Sequence, residues 1–127
     1  MTYFYQQLQY LRSNFFPDET VIARIIQAKE YMETHYPEQI SLDDLAASAC
    51  LSRYHFTRLF KRTYGRTPFQ VLSDIRVREA KRLLKKGIPV RNVCWAVGFE
   101  SVQSFSHLFK RLTGKTPSAF LNKSNIR

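Results

Sequence analysis

Tryptophan, cysteine and glycine are scarce in this chain of 127 residues, which holds one, two and four of them. Two cysteines cannot make a disulfide scaffold, so a small secreted fold held by bridges is excluded. Cys50 and Cys94 lie in different halves of the chain and are expected to be free, small, buried residues rather than a redox pair. No Gly-rich loop that could cradle a phosphate is present, and no nucleophile–base pair is visible. His35, His55 and His107 have no metal-ligand spacing, so no metal and no cofactor is expected. No apolar run approaches membrane-spanning length and no signal-peptide pattern opens the chain. These gaps point away from an enzyme and toward a cytoplasmic protein.

Acid is the other shortage. The chain carries 10 Asp and Glu against 20 Lys and Arg, a net charge of +10 and a pI near 10.0. The imbalance is local: residues 51–127 hold 17 basic and 3 acidic side chains, and residues 1–50 hold 3 and 7. A basic surface confined to one part of the chain points to an anionic partner there. Hydrophobic residues make up 44%, enough for a folded core.

What is present is a repeat. Residues 52–72 read SRYHFTRLFKRTYGRTPFQVL and residues 101–121 read SVQSFSHLFKRLTGKTPSAFL. Ser52, Phe56, Leu59, Phe60, Lys61, Arg62, Gly65, Thr67, Pro68 and Leu72 each recur 49 positions later. Such self-similarity means two copies of one supersecondary unit.

The elements follow from spacing and caps. Phe4, Leu8, Leu11 and Phe15 form a helical stripe that Pro17 ends, and Asp18 can cap the next helix. That helix runs to about Tyr36, with Ile22, Ile25, Ile26, Met32 and Tyr36 inward. Ser41 to Asp44 is a capping-box pattern for a short helix over Leu42–Ala49. Ser52 caps a helix from Arg53 to about Thr63 that buries Phe56, Leu59 and Phe60, and Gly65 stops it. Thr67-Pro68 starts a long helix to about Lys86, with Phe69, Leu72, Ile75, Ala80, Leu83 and Leu84 inward. The second copy gives helices over Val90–Val97 and Val102–Thr113, and a short one after Thr116-Pro117. Its turn is one residue longer than the first. Trp95 is expected to pack at the edge of its lobe, and Asp43, Asp44 and Glu100 to serve as helix caps.

Short helix, tight turn and second helix make a helix-turn-helix, whose second helix fits the major groove of DNA. The expected fold is therefore all-α: a first helix-turn-helix subdomain over 17–66, a connecting helix over 67–87, and a second subdomain over 88–127. Base edges would be read by Arg53, Tyr54, Thr57 and Arg58 in the first copy and by Val102, Gln103, Ser106 and His107 in the second. The DNA backbone would be held by Ser52, Lys61, Arg62 and Arg66, and by Ser101, Lys110, Arg111 and Lys115. Tyr54 would pack on a thymine methyl or a sugar. A connector of 18 residues spans about 27 Å, and successive major-groove faces lie about 34 Å apart. One chain could therefore fill both grooves as a monomer.

The chain resembles the DNA-binding domain of the AraC/XylS transcription regulators. The matching pieces are Ile40 to Ala46, Ser52 with Phe60-Lys61 and Gly65, Arg76 with Ala80, Leu83 and Leu84, Val97-Gly98-Phe99, and Phe105 through Phe109-Lys110 with Gly114 and Thr116-Pro117. The likeness covers about residues 20–122. It implies a bacterial regulator that binds asymmetric sites near promoters and contacts RNA polymerase. The chain departs from the family pattern at Cys50, where glycine is usual, at Cys94, at His107 and at Leu121. Residues 1–16 stay open: they read as the start of a stand-alone regulator, or as the end of a helix from a sensory domain, and could mediate a dimer. A low-specificity architectural DNA binder is the rival reading, and a DNA-directed enzyme fragment a further one.

Overall fold

The computed structural model describes Gln6 and residues 19–121. The expected stripe of Phe4, Leu8, Leu11 and Phe15, and the cap at Asp18, lie outside the described residues. Among those described, all regular structure is helical: α1 Glu19–His35, α2 Leu42–Ser48, α3 Arg53–Tyr64, α4 Pro68–Lys85, α5 Val90–Ala96, α6 Val102–Thr113 and α7 Pro117–Phe120.

Polar caps set most of these boundaries. Ser41, Ser52, Ser101 and Thr116 each accept the backbone N–H three residues on. Thr67 does the same from Gln70, whose side chain returns a bond to the Thr67 N–H, completing a capping box. Pro68 and Pro117 start their helices where a missing N–H costs nothing. Gly65 and Gly114 end α3 and α6 in the left-handed conformation, φ 73° and 80°. At α2 only half of the expected box forms, since Ser41 accepts from Asp44 without a described return bond. The cap of α6 is Ser101, not Glu100.

Two cores share one helix. Ile25, Ala28 and Met32 of α1, Leu45 and Ala46 of α2, and Phe56, Leu59 and Phe60 of α3 pack on Val71, Leu72 and Ile75 in the first half of α4. Val93, Cys94, Val97, Phe105 and Phe109 pack on Val77, Ala80 and Leu84 in its second half. The α4 helix thus changes partners between Ile75 and Val77. Tyr36 borders both cores.

Each short first helix ends in the same backbone device. Leu51 N–H reaches Ala46 O and Cys50 N–H reaches Ala47 O; Phe99 N–H reaches Cys94 O and Gly98 N–H reaches Trp95 O. These are Schellman closures, which need a left-handed residue at their centre. Gly98 supplies it at φ 100° and Cys50 at φ 58°. The second turn then spends one more residue, Glu100, before its cap.

Several side chains are not where periodicity put them. Ile26 and Phe69 were expected inward but are 41% and 68% exposed. The buried stripe of α4 runs through Pro68, Val71, Leu72 and Ile75, and at about 100° per residue Phe69 points well off it. Cys50 is exposed and Cys94 buried; both are free. Cys50 stands at the left-handed position of its turn, outside the first core. Trp95 is 60% exposed rather than packed, and Leu108, the repeat of buried Leu59, is half-buried.

Candidate nucleic-acid interface

The α3 helix is amphipathic because its three core residues recur at helical spacing. With Phe56, Leu59 and Phe60 buried, Arg53, Tyr54, Arg58, Lys61 and Arg62 are left exposed, and Thr57 is half-buried. These cations are not all unengaged. Arg53 Nε lies 3.3 Å from Asp43 Oδ1 in the first turn of α2. The Arg58 guanidinium carbon sits 6.0 Å from the centre of the Tyr54 ring, one turn earlier on the same face. Thr57 donates its hydroxyl to Arg53 O at 2.9 Å, which leaves its oxygen as an acceptor. Ser52 is the N-cap, its oxygen 3.1 Å from His55 N.

The α6 helix repeats the arrangement with different chemistry. Phe105 and Phe109 are buried, ring centres 5.6 Å apart. Val102, Gln103 and His107 are exposed and Ser106 is half-buried. Ser101 accepts from Ser104 N at 3.1 Å and donates to Ser104 Oγ at 3.0 Å. Lys110 and Arg111 are exposed in its last turn, and Lys115 lies 5.9 Å from the centre of the Phe120 ring.

Sequence spacing did not foretell the state of Arg66. Its guanidinium forms a two-pronged pair with Asp74, Nε to Oδ2 at 2.7 Å and Nη2 to Oδ1 at 2.9 Å. That pair ties the α3–α4 turn to the first half of α4. The eight-residue separation matches neither the i, i+3 nor the i, i+4 helical spacing, because Arg66 stands ahead of the Thr67 cap and reaches along α4 from outside the helix.

Phe69 is the residue that sequence reasoning missed on this face. It lines a cleft of about 210 Å³ with Thr57, Leu42 and Leu45 on one side. On the other it lines a cleft of about 510 Å³ with Gln103, His107 and Arg111. It therefore lines one cleft shared with α3 and another shared with α6. Its angular offset from the α4 stripe was the signal.

Among the described residues, no group of three or more His, Cys, Asp or Glu side chains is placed to hold a metal, and no helix is long and apolar enough to cross a membrane. What the geometry offers is two outward helix faces, each ending in an exposed Lys-Arg pair, with Arg53, Tyr54 and Arg58 exposed on the first and Val102, Gln103 and His107 on the second.

Residues 45–123 match the family described as a helix-turn-helix domain. The probable transcriptional regulator LumQ of Photobacterium leiognathi is 34% identical over 106 residues, covering 81% of this chain and 43% of that protein. A crystal structure of an AraC-type DNA-binding-domain transcriptional regulator from Chromobacterium violaceum superposes with a TM-score of 0.71 at 27% identity, over 80% of this chain and 91% of that one. The DNA-binding domain of the global transcriptional factor AdpA, solved with a target DNA, gives a TM-score of 0.72 at 33% identity, over 76% of this chain and 87% of that one. The chain belongs to the AraC-type helix-turn-helix family, the DNA-binding domains of transcription regulators. It spans less than half the length of the curated relatives it matches.

Proposed function

We propose that this chain is a sequence-specific, double-stranded-DNA-binding transcription regulator that inserts α3 and α6 into adjacent major grooves of a promoter operator. The observation that carries this reading is the duplicated helix: same cap, same buried phenylalanines, same exposed Lys-Arg pair, same glycine stop. Arg53, Tyr54, Thr57 and Arg58 read one half-site, and Val102, Gln103, Ser106 and His107 the other. Arginine forks onto guanine and glutamine onto adenine, so the two half-sites differ in sequence. Lys61, Arg62, Lys110, Arg111 and Lys115 neutralise phosphates, and the Ser52 and Ser101 caps present helix N-termini to the backbone. Arg66 joins them only by sharing its guanidinium with Asp74. One chain supplies both helices, so a monomer suffices on DNA, and RNA polymerase is the further partner expected of a bacterial cytoplasmic regulator of this family.

Selection of bound duplexes from random DNA tests this. The expected product is a two-part asymmetric site whose half-sites are centred about one helical turn apart. A specific-to-nonspecific affinity ratio near one would instead establish the low-specificity architectural binder.

A further inference from the structure

The two helix-turn-helix units are joined by more than the continuous helix α4. Arg76, in the middle of α4, donates from Nε to Tyr36 O and from Nη2 to Glu38 O, each at 2.9 Å. Both carbonyls belong to the chain just past the end of α1, in the first lobe. The same guanidinium lies 5.7 Å from the centre of the Phe99 ring, and Phe99 sits in the turn between α5 and α6. Gly98, its neighbour in that turn, approaches the same place. A Cβ built there would stand 2.7 Å from Tyr36 O, 3.0 Å from Pro37 O and 3.1 Å from Arg76 Nε. The turn that leads into α6 is therefore in backbone contact with the end of α1, and one arginine side chain fills the junction.

From this junction we infer that Arg76 is a positioning residue for DNA recognition: it sets the orientation of α6 relative to α3, and so the separation of half-sites that the chain accepts. The inference rests on reading α3 and α6 as the two recognition helices. A planar guanidinium can hold two carbonyls in fixed directions and still offer its face to a ring; an ammonium cannot do both. One base pair added between half-sites shifts the second groove by about 3.4 Å and turns it by about 35°. A junction built on hydrogen bonds of fixed direction and a glycine with no room for a methyl resists such a displacement. Without Arg76 the junction keeps the close approach of Gly98 to Tyr36 and Pro37 and the Arg78–Glu33 pair between α4 and α1 (2.7 Å), but loses the directional hydrogen bonds that bind α4 to the chain beyond α1.

The experiment uses the operator selected by the full chain, with spacers of the selected length and of one base pair more or less, at one salt concentration. The wild type is expected to lose about tenfold in affinity on either altered spacer, the cost of a base-pair mismatch or more. Arg76→Lys keeps the charge and is expected to bind the selected spacer within about threefold, yet to lose only about two- to threefold on the altered ones. Phe99→Leu, which keeps an apolar side chain for the second core but removes the ring, should flatten the ratio in the same direction. Lys81→Arg is the control, because Lys81 of the same helix lies over the Phe120 ring rather than at Tyr36 or Phe99, and it should keep the wild-type ratio. If Arg76→Lys and Phe99→Leu retain the wild-type spacing ratio, or if the wild type itself tolerates all three spacers, Arg76 does not set the separation. If the wild type selects no two-part site at all, the reading of α3 and α6 fails instead, and that result is visible before any variant is made.

Discussion

Glycine is required at position 98 for two separate physical reasons, and at positions 65 and 114 for one. All three sit at positive φ, which strains any residue with a Cβ by roughly 1–2 kcal/mol. Only at Gly98 would the Cβ also meet backbone oxygen; around Gly65 and Gly114 there is open space. Gly114→Ala is therefore expected to cost about 1 kcal/mol, and Gly98→Ala distinctly more, in parallel urea unfolding curves. Cys50 shows the converse case. It stands at φ 58° where its counterpart is Gly98, so Cys50→Gly should stabilise by about 0.5–1 kcal/mol. The thiols should also separate by rate. Cys94 is buried and desolvation pushes its pKa up, whereas Cys50 is exposed. A thiol reagent added to the folded chain should give one fast and one slow phase, and Cys50→Ser should remove the fast one. Equal rates would contradict the burial of Cys94.

The paired helices α3 and α6 share a frame and differ in the groups they present. Arg58, backed by the Tyr54 ring, can form a two-pronged bond to guanine; the His107 imidazole lacks that fork. Arg58→Ala is expected to cost about 1–3 kcal/mol and to relax base choice in one half-site. His107→Ala should cost less and leave preference nearly unchanged. Titration against single-base operator variants checks both, and a larger, more selective loss at His107 would reverse the assignment. The frame of these helices was legible in the sequence because each boundary rests on one residue type doing one local job: Ser52 and Ser101 as caps, Gly65 and Gly114 as stops, Pro68 as a start. The cores were legible as far as a repeating stripe extends. What the stripe could not convey was angle and partnership. Phe69 and Ile26 are apolar but lie off the buried line, and the ties of Arg53 to Asp43 and Arg76 to Tyr36 join residues 10 and 40 positions apart, which come together only after the chain has turned.

For the molecule as a whole, charge and connectivity matter most. If about six phosphates are neutralised, the logarithm of the binding constant should fall against the logarithm of salt concentration with a slope of roughly −5. Lys61→Ala and Lys110→Ala should each flatten it by about one while weakening all sequences alike; a flat dependence in the wild type would remove the electrostatic part of the proposal. Connectivity has a consequence for folding. The α4 helix lends Val71, Leu72 and Ile75 to one core and Val77, Ala80 and Leu84 to the other. Neither half of the chain can lose its packing without baring one end of a helix that the other half needs. The amides midway along α4 should therefore exchange with solvent only on global opening, as slowly as any in the chain. Although the sequence repeats a unit, neither copy is separable: cutting before Thr67 would remove a wall from the first core, and cutting after Gly87 would leave the helix with half of its buried face in water.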